Sequence, residues 1–151
     1  MNMNRRHLLR NSAALVVLGM LRPPGAAAAT APALRLVKHP GCECCEGHAA
    51  YLRQNGYTVT VEVSPDLDAF RQSLGIPRPL FGCHTILADD YVIEGHVPAA
   101  AIAKLFAERP AIKGISVPGM PPGAPGMTGQ KIGPLVVYAI ADGNPAVFLT
   151  E

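Results

Sequence analysis

Cys42, Cys44 and Cys45 crowd three thiols into four residues, and the run lies between two segments of different periodicity. Before it, Leu34-Arg35-Leu36-Val37-Lys38 alternates as a short strand and is broken by His39-Pro40-Gly41; after it, residues 42–55 read as a helix stopped by Gly56. Adjacent Cys44 and Cys45 point in different directions, and a Cys42–Cys45 bridge closes almost no loop, so three such thiols cannot all be structural staples. At a helix start, backbone N–H groups and the positive end of the helix dipole lower a thiol pKa from its free value of about 8.5 and favour thiolate. That chemistry suits redox exchange and soft-metal binding equally well. Within the helix, Cys42 and Cys45 share a face at i, i+3 spacing, and Cys44 faces His48 at i, i+4.

The remaining pattern sets this turn in an α/β frame. Tyr57 to Val63 alternates with β-branched types throughout, and Ser64-Pro65-Asp66 gives an N-cap with proline at the first helical position, opening a helix over about 65–74. Residues 83–87 and 91–94 flank Ala88-Asp89-Asp90 as a hairpin, and 98–109 reads as a helix with Ile102, Leu105 and Phe106 on one face. The order βα-βα-ββ-α is that of a thioredoxin-like domain, a mixed sheet with flanking helices. Beyond it come a Gly/Pro-rich loop over 114–133 and a terminal hairpin, 135–140 with 146–150. The loop exceeds the about 12–15 residues usual for a structureless connection and is therefore expected to be functional or mobile. The domain spans 34–150.

Residues 1–29 read as an address. Three arginines and no acid precede the apolar run Ala13 to Leu21, and Ala26 to Ala29 suit a signal peptidase. The apolar run is about half of the roughly 20 residues needed to span a bilayer. Arg5-Arg6-His7-Leu8-Leu9-Arg10 resembles the twin-arginine export signal, so the expected location is periplasmic, with no membrane attachment after cleavage. Removing this segment takes four arginines, turning a formal charge of +2 into nine Lys and Arg against eleven Asp and Glu. No basic cluster remains, and nucleic acid is excluded as a partner.

Cys83 decides what the thiols do. In the expected order it begins the third strand, beside the loop that faces the cysteine turn, so four thiols converge. A dithiol oxidoreductase uses two cysteines, here Cys42 and Cys45, and this remains the alternative; four thiolates around one hollow match a soft cation. The spacing fits neither the separated pairs usual for zinc nor the common ferredoxin runs, and bridging thiolates hold several Cu(I) ions at once, which favours copper. His39, His48, His84 and His96 lie near a cysteine or a strand end, with His84 and His96 the better placed as imidazole ligands for Cu(II) as well as Cu(I). Met120 and Met127, the methionines outside the address, bracket a Gly/Pro loop and offer soft thioether sulfur; packing of the loop onto the domain accounts for them equally well.

At Gly41-Cys42-Glu43-Cys44-Cys45, Cys83-His84-Thr85, Glu94-Gly95-His96-Val97-Pro98 and the stretch Val117 to Met127, the sequence resembles the CopG-like copper-resistance family of thioredoxin-like periplasmic metal-binding proteins. The resemblance runs from about 34 to 150. It implies a cysteine-bridged copper centre, a role in copper tolerance, and interconversion of Cu(I) and Cu(II). Carried over, Cys42, Cys44, Cys45 and Cys83 match the family's cysteine motifs, and His84, His96, Met120 and Met127 its other motif positions. The expectation is a copper-binding protein, holding Cu(I) in a site or cluster and exchanging it with other periplasmic copper-handling proteins. Any enzymatic activity would be a redox activity of the copper site or the dithiol.

Overall fold

The computed structural model describes residues 31–151, and the signal peptide expected over 1–29 lies outside them. The succession is β1 (Leu34–Lys38), α1 (Glu43–Gln54), β2 (Val59–Val63), α2 (Leu67–Ser73), a 3-10 turn (Arg78–Leu80), β3 (His84–Ala88), β4 (Tyr91–Glu94) and α3 (Ala99–Glu108), followed by β5 (Gly114–Ser116), β6 (Val136–Ile140) and β7 (Ala146–Thr150). All seven strands join one mixed sheet in the order β2-β1-β3-β4-β5-β6-β7. The neighbours β1 and β2 are parallel, as are β4 and β5, and the other pairs are antiparallel. Its first four strands and three helices have the arrangement expected from the βα-βα-ββ-α order.

Strand parity divides the apolar residues between two faces. Ile86, Ile93 and Val137 face α1 and α3, burying Ala49, Leu52, Ile102 and Leu105 in the main core. Leu87, Val92, Tyr138 and Ile140 face the other way, against Leu74, Ile76 and Leu80. On α1 the buried residues are Cys45, His48, Ala49 and Leu52, the i, i+3, i+4, i+7 stripe of a helix packed on a sheet. Two residues with reactive side chains therefore lie on the core side of this helix.

Two local expectations are revised. Asp66, not Ser64, caps α2: its side chain accepts the Ala69 N–H at 2.9 Å, and Pro65 precedes the helix. The stretch 114–133 is not all loop, because Gly114 to Ser116 forms β5 and stitches the terminal hairpin onto the domain. A Cβ on Gly114 would sit 1.7 Å from the Val92 carbonyl oxygen, so this strand approaches β4 through a position only glycine can fill.

The rest of the Gly/Pro segment folds back onto α1. A Cβ on Gly47 would lie 2.6 Å from the Gly126 carbonyl oxygen, and one on Gly126 would lie 2.3 Å from the His48 nitrogen. Two glycines thus let loop backbone rest directly on helix backbone, one turn beyond the cysteines.

Candidate metal centre

Sheet register gathers the functional segments at one end of the sheet. Lys38, the last residue of β1, pairs with His84, the first of β3, so the turn after β1 lies beside the entry to β3. Thr85 pairs with Glu94, which brings the exit of β4, and with it His96, to the same place. Lys38 fixes the cysteine turn from below, its Nζ donating to the Cys42 carbonyl at 3.1 Å and pairing with Glu46 at 2.8 Å. Cys42 is the N-cap of α1, with Cys44 and Cys45 in its first turn.

The four sulfurs converge as expected, all within 4.8 Å of one another. Cys83 is their hub: its Sγ lies 3.2 Å from that of Cys42, 3.0 Å from Cys44 and 3.5 Å from Cys45. Cys42 and Cys45 are joined as a disulfide, and Cys44 and Cys83 are free. Burial, followed by the hydrogen bond and charge of Cys44, pushes the Cys83 thiol up to about 12, with Arg71 pulling the other way. A thiolate is unwelcome there unless a cation supplies the missing charge. A cleft of about 360 Å³, lined in part by His39, Asp66, Asp68 and Arg71, reaches Cys83 from solvent.

Next to the sulfurs stands a triangle of buried imidazoles. The ring centroids of His48, His84 and His96 are 4.8 to 5.0 Å apart. His48 uses both nitrogens: Nδ1 is 2.7 Å from His84 Nε2, and Nε2 donates to the Val97 carbonyl at 3.0 Å. His96 donates from Nδ1 to the Pro125 carbonyl at 2.7 Å, a contact made by the loop seated on α1. The remaining nitrogens, His84 Nδ1 and His96 Nε2, are buried without a hydrogen-bond partner. Cys83, His84 and His96 each bring a ligand atom to a second group no wider than 4.8 Å, so Cys83 belongs to both. Burial lowers all three imidazoles, His48 to about 3, and keeps them neutral, the state in which nitrogen binds a metal. Orphaned buried nitrogens beside four sulfurs fit a thiophilic cation that also accepts imidazole.

On the opposite face a polar clamp holds the segment that runs through Cys83 into β3. Glu94, fully buried, accepts the Gly82 N–H at 2.8 Å and the Thr85 hydroxyl at 2.6 Å. Arg71 of α2 pairs with the same carboxylate at 2.8 Å and donates to the Gly82 carbonyl at 2.7 Å. Burial raises the Glu94 carboxyl to about 6 despite that guanidinium and the two hydrogen bonds. Sequence reasoning missed this clamp; its one signal is that Arg71 falls i+4 from buried Leu67, an arginine on the apolar stripe of a short helix.

Other sequence candidates are placed differently. Met120 is 61% exposed, while Met127 is half-buried against the main core at the end of the loop that reaches α1. His39 is exposed and hydrogen-bonds the neighbouring Pro40 carbonyl. His48 turns with Cys45 toward the core and meets His84, where the i, i+4 spacing had it facing Cys44.

A family described as a protein of unknown function, DUF411, matches residues 80–127, the stretch containing Cys83, His84, His96 and both methionines. No curated protein matches the chain. Two solved structures of a copper resistance protein CopG, form 1 and form 2, are each 36% identical to it with a TM-score of 0.74. Each match covers 80% of this chain and 98% of the other. With that identity over nearly the whole of the solved protein, and with the cysteine and histidine motifs gathered at one end of a matching sheet, the chain belongs to the CopG copper-resistance family.

Proposed function

We propose that this protein binds copper in a tolerance role, holding Cu(I) through the thiolates of Cys42, Cys44, Cys45 and Cys83. The observation that carries the reading is the four-sulfur hollow whose hub, Cys83, also groups with His84 and His96, each of which has a buried ring nitrogen without a hydrogen-bond partner. The Cys42–Cys45 disulfide must first be reduced by an external dithiol, which supplies two electrons and two protons and leaves as its own disulfide; thiolate ligation then releases protons as Cu(I) enters. Thiolates bridging from one hub favour more than one Cu(I), and His84 and His96 add nitrogen that suits Cu(II), which supports interconversion of the two oxidation states. Met127, with Met120 further out, offers thioether sulfur on the loop beside the site. The arginine-rich leader supports export to the periplasm by the twin-arginine route, where copper ions and other copper-handling proteins would be the partners. Among the described residues no helix is long and apolar enough to cross a membrane.

Anaerobic Cu(I) loading of the reduced protein, with metal analysis and X-ray absorption at the copper edge, tests this. More than one copper per chain with sulfur-dominated coordination is expected. Full stoichiometry in a Cys83→Ser variant would sink the four-thiolate version.

The Cys42–Cys45 disulfide at a helix start favours one second reading, a thiol–disulfide oxidoreductase. That reading expects sustained insulin reduction by the copper-free protein, lost on substitution of Cys42 or Cys45. Cys44 and Cys83, within 3.5 Å of that disulfide, weigh against it by offering competing mixed disulfides.

A further inference from the structure

His48 is the one member of the imidazole triangle with no nitrogen left for a metal, yet it sits fully buried on the helix that carries Cys44 and Cys45 and is capped by Cys42. Its hydrogen bonds have a forced direction. The Val97 carbonyl only accepts, so His48 Nε2, 3.0 Å away, carries the proton. In the neutral ring Nδ1 is then a bare acceptor, and the 2.7 Å contact is a donation from His84 Nε2–H. The proton of His84 is thereby held on Nε2, leaving Nδ1, the buried nitrogen without a partner, as a lone pair. The other tautomer would set two lone pairs against each other at 2.7 Å and strand an N–H in the interior. His96 follows the same logic by a different route: the Pro125 carbonyl takes its Nδ1–H and leaves Nε2 bare.

We infer that His48 is a positioning residue that fixes the tautomer and ring orientation of His84, so that His84 Nδ1 is presented as a ligand beside Cys83. The relay runs from the Val97 carbonyl through His48 to His84, and no atom of His48 touches the metal. This rests on the copper reading above and assigns a role inside that site. Because His48 lies i+3 from Cys45, α1 places sulfur donors directly and a nitrogen donor at one remove.

The test begins without metal. In the copper-free wild-type protein labelled with ¹⁵N-histidine, long-range ¹H–¹⁵N correlation at neutral pH should show both His48 and His84 protonated on Nε2 alone. His48→Leu should leave His84 as a mixture of tautomers. His48→Gln, whose amide can accept from His84 and donate to Val97, should restore the single form. Copper affinity of the reduced protein, read by competition with a chromophoric chelator, should fall about 10–100-fold in the leucine variant and recover in the glutamine variant, the usual range for loss of an outer partner of a ligating histidine. A wild-type His84 protonated on Nδ1, or a leucine variant with unchanged tautomer and affinity, would overturn the positioning role. The wild-type spectrum decides even where the leucine variant does not fold. Correct tautomers in a wild-type protein that binds copper no better than a thiol peptide would instead overturn the copper reading, and with it the ligand role of His84.

Discussion

Acidifying the metal-free protein should unfold it more steeply than an ordinary domain, because three imidazoles are buried neutral. Each has a folded pKa below its unfolded value of 6.5, so each takes up a proton on unfolding across the window below 6.5. Their stability contribution is present above 6.5 and is lost as pH falls. Glu94 works against them: its carboxyl is raised from 4.5 to about 6, so between those values it is protonated when folded and ionised when unfolded, and its contribution is lost as pH rises. Near pH 5.5, up to three protons taken up against one released leaves a slope of up to about 3 kcal/mol per pH unit. His48 alone, falling from 6.5 to about 3, accounts for about 5 kcal/mol over its full window, a large part of the stability of a domain this size. Urea denaturation with chelator present, at half-unit steps from pH 7 to 4.5, gives the slope directly. His48→Gln should remove one proton from it. Stability that stays flat or rises on acidification would mean that at least one imidazole is charged in the native state; were it His48 or His84, His48 would no longer hold His84 in a single tautomer.

Three further outcomes follow from particular contacts. Arg71→Met leaves the Glu94 carboxylate buried without its cation and should cost about 3–5 kcal/mol in denaturant unfolding, with much of the loss recovered when Glu94→Gln is added. Gly126→Ala drives a Cβ to within 2.3 Å of the His48 backbone nitrogen, and should destabilise by about 1–3 kcal/mol while raising amide exchange across residues 120–130 relative to wild type. Thiol titration of the denatured protein as isolated should count two free thiols, from Cys44 and Cys83, and four after reduction; a count of four without reductant would remove the disulfide from the resting state.

The segments carrying the chemistry were legible because each bears a local signal. Alternation marked β1 and β2, proline and glycine marked the cysteine turn, and the thiol spacing pointed to chemistry before any fold was known. Convergence of Cys83 on the turn also followed, since the strand order leaves one place for the start of β3. What stayed hidden depends on contacts remote in sequence. β5 is three residues long with a glycine at its head, too short for a period to register, and it exists because β4 and β6 flank it. The Arg71–Glu94 clamp joins residues in α2 and β4, where neither position stands out alone. Seating of the Gly/Pro segment on α1 rests on the facing pair Gly47 and Gly126, each ordinary as a loop or helix glycine. His48 was visible as a histidine near thiols, but its partner was not, because the helix face it occupies is set by packing.

The register that aligns Lys38 with His84 also governs when in the life of the chain the centre exists. Its decisive contacts join residues 41, 36 and 29 positions apart: Cys42 with Cys83, His48 with His84, and His96 with the Pro125 carbonyl. Contacts of such separation form late, after the loops between them have closed. An unfolded or half-made chain therefore displays only a short cysteine peptide, open on all sides and without Cys83, His84 or His96 beside it. In the coordination proposed above, Cys83 and His84 join the site only once β3 is in register with β1, so metal held in that form would double as a report that the polypeptide has folded.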